Sequence, residues 1–278
     1  MLNKEDTVRL KKVALTLRKD LLEMIGIGNA GHLGGSSSLA ETIAVLYFQE
    51  MKIEPKNPSW PDRDRLILSK GHAALIQYAA LCELGYFSRE ELKLVKTLKG
   101  LLQGHPDLSI PGIEAVTGSL GQGLSIGLGM ALALRLDEKD SRVYVIMGDG
   151  EQSEGQLWEA AQATPNFKVD NLTAFIDWNK IQATGPTKDM FNIPELGKKW
   201  EAFGWKVFFV NGHDVGEIEA AIQSAKKVKG QPSLIILDTI KGKCFSFAEG
   251  NAAYHNGTLD EQKFAQACQE LEDIEKGL

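Results

Sequence analysis

Two short apolar segments, each followed closely by a polar residue, constrain the fold of this chain more than any other feature. The first, residues 143–147, runs into a Gly-Asp-Gly sequence that contains Asp149, and the second, residues 172–176, runs towards Asn179. The two polar residues are 30 positions apart (149 to 179), about the length of a strand, a helix and a returning parallel strand. The pattern predicts two parallel strands whose carboxyl ends place Asp149 and Asn179 on one edge of a sheet.

The remainder of the chain continues this alternation of helix and strand. Apolar and partly β-branched clusters predict further strands at residues 65–68, 205–210 and 233–237. Helical spacing or composition predicts helices at residues 7–25, 39–51, 73–84, 124–136, 195–203, 216–227 and 261–276, with Ser36, Ser37 and Ser38 as candidate caps of the second. The expected fold class is α/β, a parallel sheet covered by helices on both faces, within one domain spanning residues 1–278.

Composition excludes several classes of protein. With 278 residues, 43% hydrophobic and 24% charged, the chain is typical of a soluble globular protein. Its formal net charge of −6 comes without a basic stripe, so nucleic acid is not an expected partner. We expect no membrane association and a cytoplasmic location, because the sequence shows neither a bilayer-length apolar run nor a secretory or transit pattern. Cys82, Cys244 and Cys268 are widely spaced, as expected for reduced thiols without metal-ligand spacing.

The polar residues at the predicted sheet edge have two interpretations. Asp149 and Asn179 supply oxygen ligands of the kind that Mg²⁺ prefers, and the flanking glycines let a diphosphate approach the backbone. The residues after Asp149 lead into a predicted helix whose N-terminus could face a phosphate. Asp-Gly is also a common turn sequence, so these residues alone leave a plain turn as the alternative.

Four histidines have an unusual local setting. His32, His72 and His105 each follow a glycine, and His255 lies in a Tyr-His-Asn-Gly sequence. These positions lie outside the apolar stripes, which does not favour core packing and leaves a surface or capping role as the alternative. Histidine also suits diphosphate contacts and proton transfer near neutral pH. We interpret His213, within Asn-Gly-His-Asp, as a turn or helix-cap residue.

Two glycine-rich sequences require separate interpretations. Residues 117–123, Thr-Gly-Ser-Leu-Gly-Gln-Gly, form a turn that opens a predicted helix. Such a turn could present backbone groups to a flat heterocycle or an anion, or could simply allow close packing. Residues 26–31 match the Gly-x-Gly-x-x-Gly pattern, but they follow a helical segment rather than a strand. That context argues against a dinucleotide site.

Taken as a set, these motifs resemble the thiamine diphosphate-binding half of transketolase. Each motif is weak or moderate alone, but they occur in family order and cover nearly the whole chain. The matching segments are residues 30–35, 68–73, 104–107, 117–123, 148–155 and 177–181.

The resemblance implies a metal and diphosphate site. Asp149, Asn179 and the backbone carbonyl of Ile181 would hold Mg²⁺, or another divalent cation such as Ca²⁺ or Mn²⁺. The diphosphate would be contacted by the N–H of Gly150. On the same resemblance, further cofactor contacts would come from His72, His255 and Asn179.

The remaining implied roles concern the organic part of the cofactor and the substrate. His32, His105 and His255 would be catalytic, the first two beside the reacting thiazolium carbon and the donor sugar. Glu154 would link paired sites across a subunit interface. The aminopyrimidine would be contacted by the turn at Gly118, Ser119 and Leu120.

The resemblance also implies a partner. The family's pyrimidine-binding half, which carries the glutamate that activates the aminopyrimidine, is expected on a separate C-terminal subunit, in an α₂β₂ heterotetramer. The pair would transfer a two-carbon ketol unit from a ketose phosphate to an aldose phosphate. A subunit of a 1-deoxyxylulose-5-phosphate synthase-like enzyme or of a 2-oxoacid dehydrogenase is an alternative. A non-catalytic cofactor-binding protein is another.

Overall fold

The computed structural model describes residues 2–278 and contains the predicted parallel sheet. Strands β2, β3, β4, β8 and β7 lie side by side in that order, and each neighbouring pair is parallel. Along the described chain the strands are β1 (Ala30–Gly31), β2 (Arg65–Leu68), β3 (Val143–Gly148), β4 (Leu172–Trp178), β5 (Ile181–Gln182), β6 (Gly185–Pro186), β7 (Lys206–Asn211), β8 (Ser233–Asp238) and β9 (Gly257–Thr258). The five main strands agree with the sequence prediction to within about one residue.

Helices connect the strands and cover both faces of the sheet, as predicted for the α/β class. The second predicted helix is shorter than residues 39–51, because it ends in a π-helical turn at Leu46–Glu50. The helices are α1 (Lys4–Ile25), α2 (Leu33–Ser37), α3 (Ala40–Val45), α4 (Ala74–Glu83), α5 (Glu90–Lys93), α6 (Gly123–Leu136), α7 (Gly155–Asn166), α8 (Thr187–Met190), α9 (Leu196–Ala202), α10 (Val215–Lys227) and α11 (Glu261–Lys276).

Alternate side chains of the central strands supply two hydrophobic cores. On β3, Tyr144 and Ile146 belong to the core that includes residues of α1, α3, α4 and α10, whereas Val145 and Met147 belong to the core that includes residues of α6, α7 and α9. Successive residues of a strand point to opposite faces. A strand buried on both faces is therefore continuously apolar, which is the pattern that made β3 and β4 visible in the sequence.

The serines predicted to cap the second helix do something else. Ser36 and Ser37 lie inside α2, and the residue that precedes α3 is Leu39, which makes no side-chain cap bond. The hydroxyl of Ser37 donates to the carbonyl of Lys243, and the hydroxyl of Ser38 donates to Asp177. The capping prediction is wrong, because long-range acceptors take these hydroxyl groups.

Two short antiparallel pairs, invisible in the apolar pattern, shape the carboxyl edge of the sheet. β1 pairs with β9, so Gly31 lies opposite Gly257. β5 pairs with β6 directly after the end of β4. Both pairs are only two residues long, too short for a period-two pattern to register. Within residues 2–278, no helix is long and apolar enough to cross a membrane.

Candidate active site

The ends of β3 and β4 bring Asp149 and Asn179 together, as the sequence predicted. Gly148 is the register partner of Asp177, so the residues that follow both strands emerge at the same edge. The carboxylate of Asp149 accepts a hydrogen bond from the N–H of Gly150 at 2.7 Å and another from the N–H of Lys180. Asp149 therefore bridges the two strand ends and lies in a fixed orientation.

Asn179 and Ile181 add two neutral oxygen donors beside this carboxylate. The Asn179 side-chain amide donates to Asp177 at 3.0 Å, and its oxygen accepts from the N–H of Ile181 at 3.1 Å. The carbonyl of Ile181 faces the same cavity and accepts from the Nζ of Lys241 at 2.9 Å. A carboxylate, an amide oxygen and a peptide carbonyl are the hard ligands that suit Mg²⁺.

The electrostatics of Asp149 also suit a cation. Burial, together with the negative charge of Asp177, raises the pKa of Asp149 above its ordinary value. A carboxylate in that setting is short of positive charge, and a nearby cation favours its ionised form. The predicted metal ligands therefore fit a divalent cation in both chemistry and charge.

A buried ion pair beneath the site was missed by the sequence analysis. The Nζ of Lys70 lies 2.5 Å from Asp177, and the side chains are 2% and 0% exposed. Lys70 also donates to the carbonyl of Gly35 at 3.0 Å. Although burial alone would raise the pKa of Asp177, the charge and hydrogen bond of Lys70 help to lower it. Asp177 is thus the ionised centre of a hydrogen-bond network under the strand ends.

Lys241 supplies a second buried ammonium group, also missed from sequence. Its Nζ lies 2.9 Å from the carbonyl of Ile181 and 3.0 Å from the Nδ1 of His255. Burial, and then the positive charge of Lys70, lower the pKa of Lys241 to about 8. Both lysines line a cavity of about 290 Å³ with Asp149, Gly150 and Asn179. That cavity therefore combines two cations with the metal-ligand oxygens, an arrangement that suits an anionic ligand.

The four histidines singled out in the sequence form one cluster. The ring centroids of His72 and His255 are 4.9 Å apart, and those of His32 and His72 are 5.2 Å apart. His32 lies 5.6 Å from His255 and 6.3 Å from His105. His72 and His255 line the cavity of Asp149, so the cluster extends from that cavity through His32 to His105. The pairing of β1 with β9 explains how residues more than 200 positions apart meet here.

Three of these histidines are neutral at physiological pH. Burial, and then the charge of Lys96, lower the pKa of His32 to about 4. Burial and the charge of Lys241 lower the pKa of His255 to about 3, and the pKa of His72 is lowered well below its ordinary value by burial and Lys70. A neutral imidazole has one donor and one acceptor nitrogen, so these rings can orient hydroxyl groups and take up protons.

This burial predicts a pH dependence of stability. The folded-state pKa values of His32, His72 and His255 lie below the ordinary value of about 6.5. The unfolded chain therefore binds more protons, and the stability that these rings permit above that pH is lost as the pH falls towards about 4. Replacing His72 by asparagine is expected to flatten this part of the profile in thermal melts recorded across the same interval. An unchanged slope would contradict the burial argument.

The glycine-rich turn lies against the histidine cluster. Gly118 has a φ of +139°, and a Cβ there would come within 2.7 Å of the His105 ring. Leu120 lines the cavity of Asp149. Ser119 and Glu154 are exposed and do not line that cavity; Glu154 precedes α7 and packs against Gly121. The turn therefore presents Gly118 and Leu120 to the site, and the roles of Ser119 and Glu154 stay predictions.

Glu151 fixes this turn and was not identified from the sequence. Its buried carboxylate accepts from the N–H of Gly121 at 2.9 Å, from the N–H of Gly148 at 3.0 Å and from the hydroxyl of Ser69. It thus joins three segments of the site: the glycine-rich turn, the end of β3 and the segment after β2. Burial raises the pKa of Glu151. Its sequence signal, an acidic residue two positions after Asp149, resembles an ordinary surface charge.

Comparison with known families agrees with the geometry. The transketolase thiamine diphosphate binding domain family matches residues 10–272. The chain belongs to this family. It is 47% identical to the 6-deoxy-6-sulfo-D-fructose transketolase subunit SqwG of Clostridium sp. (strain MSTE9), over 96% of this chain and 98% of that protein. It is 40% identical to one of the subunits named for the apulose-4-phosphate transketolase of Phocaeicola vulgatus, over 93% of this chain and 92% of that protein.

Full-length transketolases are also similar, over part of their length. A crystal structure of the Pichia stipitis enzyme in complex with sedoheptulose-7-phosphate superimposes with a TM-score of 0.90 at 33% identity. The match covers 95% of this chain and 41% of that enzyme. Human transketolase is 37% identical over 94% of this chain and 42% of its own length. The expected fold of the transketolase thiamine diphosphate-binding half is therefore confirmed.

Proposed function

We propose that the chain is the N-terminal, thiamine diphosphate-binding subunit of a two-chain transketolase. Family membership and the relatives named as transketolase subunits support this function. The observation that carries it is the joining of two features in one site. The four-histidine cluster opens directly from the cavity that contains Asp149, Asn179 and the two buried lysines.

The diphosphate group belongs in that cavity. When bound, thiamine diphosphate supplies a carbon nucleophile for the carbonyl group of the donor sugar. The N–H of Gly150 and the ammonium groups of Lys70 and Lys241 provide donors for the phosphate oxygens. Asp149, Asn179 and the carbonyl of Ile181 would hold Mg²⁺, or Ca²⁺ or Mn²⁺, which prefer such oxygens.

The histidines then divide the remaining work. His72 and His255 line the diphosphate cavity, and their neutral rings can donate to phosphate oxygens. His32 and His105 lie further along the cluster, where the sugar carbonyl and hydroxyls would be oriented. His255 Nδ1 contacts the Lys241 ammonium, so its other nitrogen is available to a substrate hydroxyl.

The proposed assembly is an α₂β₂ heterotetramer in the cytoplasm. A C-terminal transketolase subunit would cover the turn at Gly118 and Leu120 and supply the glutamate that activates the aminopyrimidine. The exposed position of Glu154 at the start of α7 is compatible with a contact across a subunit interface. Sugar phosphates are the proposed substrates. The relatives named for 6-deoxy-6-sulfo-D-fructose and apulose-4-phosphate make those two compounds the first donors to assay.

Reconstitution tests the function. The chain is mixed with its candidate C-terminal subunit, thiamine diphosphate and Mg²⁺, and ketol transfer to an aldose phosphate is followed. We expect activity with the mixture and none with either chain alone, because a missing acid–base group typically costs about 10²–10⁴-fold. Product analysis with pyruvate in place of the ketose donor serves as the control. Turnover of pyruvate without ketol transfer would instead identify a different thiamine diphosphate enzyme.

A further inference from the structure

His213 lies outside the cavity, in the turn between β7 and α10, and both of its ring nitrogens are engaged. Its Nε2 accepts a hydrogen bond from the backbone N–H of Ile240 at 2.9 Å, and its Nδ1 lies 3.1 Å from the carboxylate of Glu41. Since the Ile240 amide can only donate, Nε2 is the acceptor and Nδ1 carries the proton shared with Glu41. The turn predicted at His213 is confirmed, but the helix cap is Asp214.

Glu41 is itself held rigidly on the opposite side. Arg18 donates to its two oxygens at 2.6 and 2.8 Å, and the two side chains are 1% and 11% exposed. Arg18 also donates to the carbonyl of Ser37 at 3.0 Å. Although burial acts to raise it, the charge of Arg18 and the hydrogen bonds of Arg18 and His213 lower the pKa of Glu41 to about 2. Glu41 is thus a permanent acceptor for the His213 proton.

The amide held by His213 belongs to the segment that carries Lys241. This segment leaves β8 and crosses the carboxyl edge of the sheet. The Thr239 hydroxyl donates to Asp177, and the N–H of Gly242 donates to the carbonyl of Gly34 at 3.0 Å. Between these two attachments, the Ile240 amide is tied to the His213 ring. The next side chain, Lys241, reaches the Ile181 carbonyl and His255.

We propose that His213 is a positioning residue for Lys241. It joins the buried Arg18–Glu41 pair to the Ile240 amide and so fixes the backbone from which the Lys241 ammonium reaches the diphosphate cavity. The proposal deepens the proposed function and rests on it for the identity of the ligand, thiamine diphosphate. The hydrogen bond itself is independent of any ligand.

Two amide replacements separate the two bonds of the ring. In His213→Gln, the side-chain amide extends to about the place of Nε2, so its oxygen can accept from the Ile240 amide. In His213→Asn, the amide ends near the place of Nδ1, so it can reach Glu41 but not Ile240. The asparagine variant is expected to bind thiamine diphosphate with Mg²⁺ roughly tenfold more weakly, the effect of one lost hydrogen bond. The glutamine variant should retain most of the affinity.

Hydrogen exchange at the Ile240 amide is measured first, on the full chain, with His213→Phe as a further variant that keeps the ring shape without nitrogens. Faster exchange is expected in the asparagine and phenylalanine variants than in the glutamine variant or the unmodified chain. Equal exchange in all four proteins would overturn the proposal, and the phenylalanine and glutamine pair decides it where the asparagine variant does not fold.

Calorimetric titration with thiamine diphosphate and Mg²⁺ follows, on the chain mixed with its C-terminal subunit. Faster Ile240 exchange with unchanged cofactor affinity would also overturn the positioning of Lys241. No binding to the unmodified protein would instead contradict the proposed function, and the exchange comparison would still decide whether His213 holds the segment.

Discussion

Replacing Asp149 with alanine is expected to abolish metal-dependent binding of thiamine diphosphate. The side chain provides the charged member of the proposed ligand set, and its carboxylate also joins the N–H groups of Gly150 and Lys180 across two strand ends. Truncating one partner of a buried charged contact typically costs about 2–5 kcal/mol. We therefore expect the apparent dissociation constant to rise by roughly 100-fold or more, as measured by titration calorimetry with Mg²⁺ in excess.

Asp238→Ala provides the matched control for this experiment. Asp238 ends β8 at the same edge of the sheet, but its side chain is 54% exposed and forms a surface ion pair with Lys180. Removing a surface pair has little effect, so cofactor affinity should stay close to that of the unmodified chain. Unchanged affinity in Asp149→Ala, or equal losses in both variants, would refute the assignment of Asp149 as the metal ligand.

The architecture of the site was predictable where it depends on local pattern. The apolar runs of β3 and β4 located their own ends, and the length between them implied a parallel pair, which puts Asp149 and Asn179 at one edge. Glycine-flanked histidines outside the apolar stripes pointed to His32 and His72. These inferences need only the periodicity of a strand and the conformational preferences of glycine, both of which a single sequence displays.

The charged groups beneath the site were not predictable in the same way. Lys70 and Asp177 are 107 positions apart, and Lys241 meets Ile181 across 60 positions. A sequence shows each of these charges without its partner, and an isolated lysine or aspartate is usually exposed. Their burial is decided by tertiary contacts, above all by the crossing of the segment after β8 over the sheet edge. The same crossing brings the Ile240 amide to His213.

Removing the Lys70 ammonium is the second change with a large expected effect. In Lys70→Met, Asp177 keeps hydrogen bonds from Ser38 and Asn179 but loses the positive charge beside it. Breaking a buried ion pair from one side typically costs about 3–5 kcal/mol, because the remaining charge is left uncompensated. We expect the free energy of unfolding to fall by roughly that amount in denaturant titrations at neutral pH.

Lys180→Met is the control, since it removes a lysine whose pair with Asp238 is exposed, and it should cost less than about 1 kcal/mol. The pH dependence provides a second check. In the unmodified chain the pKa of Asp177 is lowered, but without Lys70 burial should raise it above the unfolded value. A carboxyl group with a raised pKa regains stability as the pH falls, so the difference between Lys70→Met and the unmodified chain should narrow in acid. A loss no larger than that of Lys180→Met, or one independent of pH, would show that the hydrogen bonds of Asp177 compensate its charge without the lysine.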